Sequence, residues 1–215
     1  MIANGFYQNL SEIDPAEIEF VCFGIPRSGS TLVYQLISGC YAEGVAKTHQ
    51  YCDHRVKTLV SFRDFRDAVV SLWRRSNPRN SQRQMRESEI DEFATLCLQR
   101  VKALDRYFER DDICRLRYED FVGDSGLIFS LAAKAFGIVF DPQKVCELVD
   151  KYSLAKNRQI ADRLKNFHDV DETTLIHGNH IFSANVGDWR EFVEPGAAQK
   201  LESLLRGPLT KYGYE

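Results

Sequence analysis

Net charge is nearly absent from this chain: 28 Lys and Arg against 31 Asp and Glu leave −3 at neutral pH. A field that weak supplies no general pull toward nucleic acid or an anionic membrane, so any anion site has to be built locally. Long apolar runs are absent too. No segment approaches the ~20 residues that a bilayer-spanning helix needs, and residues 1–17 have neither the basic segment nor the apolar stretch of a secretory signal. There is no internal repeat, no low-complexity tract and no C-x-x-C pair. The six cysteines (Cys22, Cys40, Cys52, Cys97, Cys114, Cys146) are scattered through apparent core segments, as reduced thiols of a cytosolic protein are. The expectation is a cytoplasmic protein without a membrane span or a nucleic-acid partner. At 215 residues, 44% hydrophobic and 27% charged, it has enough apolar material for a single domain over residues 1–215.

What is present alternates. Residues 19–25, "EFVCFGI", form a short apolar run that stops at a Gly/Pro/Ser cluster and read as a buried strand. Leu32, Leu36 and Ile37 then recur at helical spacing. Residues 44–49, 57–63 and 112–121 read as further strands, with helices after the third and fourth. Residues 77–88 are polar and basic, a loop or lid, and 89–110 form a long amphipathic helix. Residues 125–138 read as a helix with Gly137 near its C-cap. One or two helices follow over 141–167, then a polar stretch at 168–179, then a turn and a final helix. Strands alternating with helices predict an α/β fold: three layers, with a central parallel sheet of about four or five strands between helices. Ligands of such sheets bind beyond the carboxyl ends of the strands. Residues 24–31, 47–49 and Arg63 all fall at such ends.

The first of these, "GIPRSGST" (24–31), has the outline of a phosphate-binding loop between a strand and a helix. Backbone N–H groups at a Gly-rich turn and helix N-terminus bind anions. Gly29 lets the backbone approach, Ser28, Ser30 and Thr31 carry hydroxyls, and Arg27 carries a fork of donors. Ser30 occupies the place where a nucleotide-hydrolysing loop carries lysine. In "RDFRDAVVS", Arg63 stands eight residues before Ser71, an arginine and a hydroxyl for a second phosphate. In "KTH", His49 has a side chain that exchanges protons near neutral pH and Lys47 has a mobile positive charge. His49, Cys52 and His54 also make an H-x-x-C-x-H pattern, one ligand short of a closed zinc site.

Together these segments resemble the sulfotransferases that use 3′-phosphoadenylyl sulfate (PAPS). "PRSGST" resembles that family's 5′-phosphosulfate loop, P-[KR]-S-G-[ST]-T, and "RDFRDAVVS" its 3′-phosphate motif, R-[DN]-P-[RK]-D-x-x-x-S, with Phe65 in place of the proline. "KTH" resembles the segment whose histidine is the general base, "RYED" (117–120) the strand end whose tyrosine, here Tyr118, contacts the adenine region, and "GDW" (187–189) a C-terminal element. The resemblance implies a P-loop-like fold and transfer of a sulfuryl group from PAPS to a hydroxyl or amine. It makes adenosine 3′,5′-bisphosphate the product, requires no metal, and implies a small-molecule or glycan acceptor. It implies catalytic roles for His49, Lys47 and Arg27, and donor binding by Arg27, Ser28, Gly29, Ser30, Thr31, Arg63, Ser71 and Tyr118. Acceptor-pocket walls are expected from residues 50–55, 77–88 and 168–179.

Two departures stand out. The family's R-K-G triplet before the G-D-W is replaced by Phe182, Ser183 and Ala184, so another basic residue (Arg74, Arg75 or Arg79) stands in or the donor is held less tightly. Leu32 occupies the place of an aromatic that stacks on adenine. Two rival readings stay open: a binding protein that senses 3′-phosphorylated adenylates without turnover, and a P-loop kinase, which calls for a lysine at position 30.

Overall fold

The computed structural model describes residues 1–77, 83–178 and 181–215. Its elements in chain order begin with β1 (Gly5–Phe6), β2 (Phe20–Gly24), α1 (Ser30–Ser38), β3 (Val45–Thr48), β4 (Lys57–Phe62), α2 (Phe65–Ser76) and α3 (Glu87–Phe108). They continue with β5 (Ile113–Arg117), α4 (Tyr118–Phe121), α5 (Leu127–Phe136), α6 (Pro142–Lys151) and α7 (Leu154–Arg163). The chain closes with β6 (Val170–Asp171), β7 (Ile176–His177), α8 (Trp189–Phe192) and α9 (Pro195–Lys211).

The sheet is five-stranded and parallel, in the order β1-β3-β2-β4-β5. Its middle strand β2 is buried on both faces, and the two-residue period of a strand sends alternate side chains to opposite cores. Val21 and Phe23 join a core with Val69, Leu104 and Leu201, on the side of α2, α3 and α9. Phe20 and Cys22 join a second core with Val33, Leu36, Ile128 and Leu148, on the side of α1, α5 and α6. This is the three-layer α/β arrangement expected from the alternation of elements. β1 escaped the sequence reading because two residues carry no periodicity, and the polar stretch at 168–179 contains the hairpin β6–β7. Cys22, Cys52, Cys97 and Cys114 are buried, whereas Cys146 is exposed on α6 and so departs from the expectation of core thiols.

Phe65, the departure from proline, has a local explanation. Asp64 caps α2 by accepting from the Arg66 N–H, so the helix start needs no preset φ. The Phe65 ring instead fills the core beside Tyr212 at 5.5 Å between centroids. At the other end of the predicted elements, Gly137 closes α5 with φ 64°, as its sequence position suggested.

Candidate functional site

The turn between β2 and α1 is built by close packing. A Cβ on Gly24 would come within 2.3 Å of Ser61 Oγ and 2.7 Å of Ser28 Oγ, so only glycine lets β2 pass under the loop. Gly29, the N-cap of α1, has φ 76°, and a Cβ there would sit 3.0 Å from the rings of Tyr118 and Phe121. Arg27 also lies in the left-handed region, at φ 71°, a strained state for a side-chain-bearing residue. The first N–H groups of α1 have no intrahelical partner and face the loop side, as at any helix N-terminus.

Ser28 is a correction to the sequence reading. Its Oγ donates to Ile25 O at 2.7 Å or Ser61 O at 3.0 Å, and its N–H donates to Ile25 O, so it fastens the loop to β4 rather than offering donors to a ligand. Thr31 lines the adjoining cleft with Arg27 and Gly29, while Ser30 is buried behind it.

The two motif segments, 24–31 and 63–71, meet. Arg27 Nε donates to Ser71 Oγ at 2.8 Å, which leaves Ser71 its own O–H to give. Arg63, at the end of β4, donates from Nη1 to Arg27 O at 3.2 Å and from Nη2 to Asn185 O at 3.1 Å. It also pairs with Asp67 at 3.1 Å and lies over the Tyr118 ring at 4.4 Å. Its buried Nε has no partner among the described residues. Burial first, then the charges of Arg75 and Arg63, lower the Arg27 pKa to about 9.

Asp67 is a residue that the sequence reading did not single out. Its carboxylate accepts from Gly187 N–H at 2.7 Å and Trp189 N–H at 3.0 Å while pairing with Arg63. It therefore ties the Gly187–Trp189 turn to the arginine of the second motif. The available signal was that two recognised motifs carried a donor-rich turn and a spare buried acid. Trp189 itself packs in the core under Arg66 at 4.4 Å.

Beside this hub opens a cleft of about 160 Å³, lined among others by Arg27, Thr31, Arg63, Ser71, Arg74 and Tyr118. It is also lined by the turn between α6 and α7 and by the segment 181–188. Tyr118 Oη holds that segment by donating to Ala184 O at 3.0 Å. Arg79, with the rest of residues 78–82 in the basic loop at 77–88, and Asn179 fall outside the described residues.

Lys47 and His49 do not line this cleft. They sit on the β1 side of the phosphate loop, with Lys47 Nζ 5.3 Å from the Phe6 ring and the His49 ring 5.6 Å from it. His49 Nδ1 lies 2.7 Å from Gly24 O, directly before the loop. Burial, then the Lys47 charge, lowers the His49 pKa to about 4, against the pull of the Gly24 hydrogen bond; burial lowers Lys47 to about 8. The H-x-x-C-x-H pattern does not converge. His54 bonds Leu10 O at 2.7 Å and Cys52 contacts Tyr107, each away from His49.

Among the described residues no helix is long and apolar enough to cross a membrane. No protein-family model matches the chain, and no curated protein matches it. Solved structures do. One is the crystal structure of the mouse sulfotransferase SULT7A1 complexed with PAP, at a TM-score of 0.67 and 15% identity over 93% of this chain and 86% of that one. The likeness at that identity is one of fold: this chain has the three-layer α/β fold of that sulfotransferase, its central parallel sheet flanked by helices.

Proposed function

We propose that this chain is a single-domain sulfotransferase that moves a sulfuryl group from PAPS to a hydroxyl or amine of a small-molecule or glycan acceptor. The observation that carries the reading is the 2.8 Å bond between Arg27 and Ser71, which joins a 5′-phosphate loop and a 3′-phosphate motif lying 44 residues apart. The mouse sulfotransferase with this fold is described as complexed with PAP.

The cleft residues suit such a donor. Arg63 has a buried Nε to give, Ser71 has an O–H, and the α1 N-terminus faces a loop shaped by two obligatory glycines. Arg63 and Ser71 hold the 3′-phosphate. The loop, Thr31 and Arg27 hold the 5′-phosphosulfate, and Tyr118 borders the adenosine. His49 takes the acceptor proton on Nε2 as the acceptor lone pair attacks sulfur. The bond from sulfur to the bridging oxygen breaks, and the electron pair goes to the 5′-phosphate. Lys47 and Arg27 stabilise that developing charge, the type of fixed electrostatics that contributes most to such steps. Two-site holding of the donor supplies orientation. None of these steps calls for a metal.

Incubation with radiolabelled PAPS and a panel of hydroxyl and amine acceptors tests this. Label transfer that His49→Ala abolishes supports it, and no transfer to any acceptor with intact bisphosphate binding favours the second reading. That reading is a sensor of 3′-phosphorylated adenylates, and one observation speaks for it: Lys47 and His49 lie outside the main cleft.

A further inference from the structure

The basic residue that compensates for the absent triplet can be sought among the cations on α2. Arg75 lies over the Phe167 ring at 4.3 Å, and its charge acts on Arg27 and His49, at the sulfuryl end of the site. Arg74 is placed differently. It stands one helical turn after Ser71 and lines the same cleft as Ser71 and Arg63. Its guanidinium lies 4.8 Å from the Phe182 ring and 4.0 Å from the Phe192 ring. Phe182 is the residue at the first position of the replaced triplet. The cation thus occupies the space beside the segment 181–188, a strap over α2, from the helix side, packed between two aromatic faces that fix it without using its donors.

Two further facts point to a ligand. Arg74 Nε is buried and has no partner among the described residues. Its ion pair to Asp188 is long at 3.6 Å, and the Asp188 carboxylate also accepts from Ser183 Oγ. The strap itself is held by another residue: Arg158 donates from Nη2 to Phe182 O at 2.8 Å. Holding the segment in place and presenting a charge beside it are therefore divided between two arginines.

We infer that Arg74 supplies, from α2, the charge that grips the donor's 3′-phosphate, in place of the basic triplet that the strap lacks. The inference rests on the PAPS reading and deepens it, because it makes Arg74 the residue that distinguishes 3′-phosphorylated adenylates from those without the phosphate.

The test is calorimetric titration of adenosine 3′,5′-bisphosphate and of adenosine 5′-phosphate into the wild-type protein, Arg74→Gln, Arg74→Lys and Asp188→Asn, with folding of each checked by circular dichroism. A charge-assisted contact is worth about 10- to 100-fold in affinity. Arg74→Gln is expected to lose that factor for the bisphosphate while binding the monophosphate within about twofold. Arg74→Lys, which keeps a charge but loses the planar fork, falls between, and it carries the test if the glutamine variant does not fold. Asp188→Asn frees Arg74 from its competing carboxylate and is expected to tighten the bisphosphate alone. An unchanged preference for the bisphosphate in Arg74→Gln, or equal loss for both ligands, overturns the inference while leaving the PAPS reading intact. Failure of the wild-type protein to bind the bisphosphate overturns both.

Discussion

His49 and Gly24 are joined through a 2.7 Å contact between the imidazole Nδ1 and the Gly24 carbonyl oxygen. A carbonyl oxygen can only accept, so Nδ1 carries the proton and Nε2 carries the lone pair. The same carbonyl belongs to the last residue of β2, where the phosphate loop begins. The proposed base is thereby indexed to the proposed phosphate site through one peptide unit.

That arrangement sets an acid limit. With a pKa near 4, His49 is neutral and able to accept a proton across the range where an ordinary histidine would be half charged. The acid limb of kcat/KM, which reports the free enzyme, should fall below pH 5 rather than near 6.5. His49→Ala should lower kcat by about 10²- to 10⁴-fold and leave bisphosphate affinity nearly unchanged. Stability follows the same group. Between pH 6.5 and 4 the unfolded chain takes up a proton that the folded one refuses, so stability contributed by His49 is lost as pH falls through that window. A kcat/KM profile read alongside thermal melts at each pH separates the two effects.

Lys47 sets the alkaline side. Its folded pKa, about 8, lies below the ordinary 10.5 because burial disfavours the charged form. A charge that an anion needs is lost from the free protein as pH rises through 8, so bisphosphate affinity should weaken from pH 7 to pH 9.5. The ligand-free protein should behave in the opposite sense: the unfolded chain holds more protons in this window, so Lys47 makes folding more favourable as pH rises. Titration calorimetry and denaturant unfolding at both pH values check the pair of signs. Affinity that does not change with pH would separate Lys47 from the anion.

Asp67→Ala should destabilise the protein by about 3–5 kcal/mol, because it strips a buried arginine of its partner and leaves the Gly187 and Trp189 N–H groups unmet. Bisphosphate affinity should fall with it, since Arg63 loses one of the contacts that fix it. Urea unfolding measures the first effect and calorimetry the second.

Gly29→Ala should cost about 1–2 kcal/mol from the left-handed backbone alone, with a further cost from the 3.0 Å approach to Tyr118 and Phe121. Any relaxation of that crowding moves the loop, so donor binding should weaken more than stability. A Gly29→Ala protein that binds the bisphosphate as the wild type does would contradict the role given to the loop.

The fold was legible because its strands are short apolar runs ending in Gly, Pro and charged residues, and its helices carry clear periodicity. The motif residues were legible for another reason: Arg27, Arg63 and Ser71 sit at fixed distances from strand ends, and a parallel sheet brings strand ends together. What sequence could not give was direction. Nothing in "PRSGST" distinguishes Ser28, whose hydroxyl turns inward to β4, from Thr31, which lines the cleft. Nor does spacing reveal that Asp67 reaches residues 120 and more positions away, because that contact depends on how the strap returns over α2. The position of Lys47 and His49 on the β1 side of the loop escaped for the same reason, since β1 itself is only two residues long.

The central claim is that one cleft holds a 3′,5′-bisphosphorylated adenosine across Arg27, Arg63 and Ser71. Calorimetric titration of adenosine 3′,5′-bisphosphate against ATP with magnesium, in the wild-type protein and in Arg63→Ala, tests it most directly. The account predicts tight binding of the bisphosphate, weakened by about 10-fold or more in Arg63→Ala, and weak binding of ATP with magnesium in both. Tight binding of ATP with magnesium and indifference to the bisphosphate would contradict it.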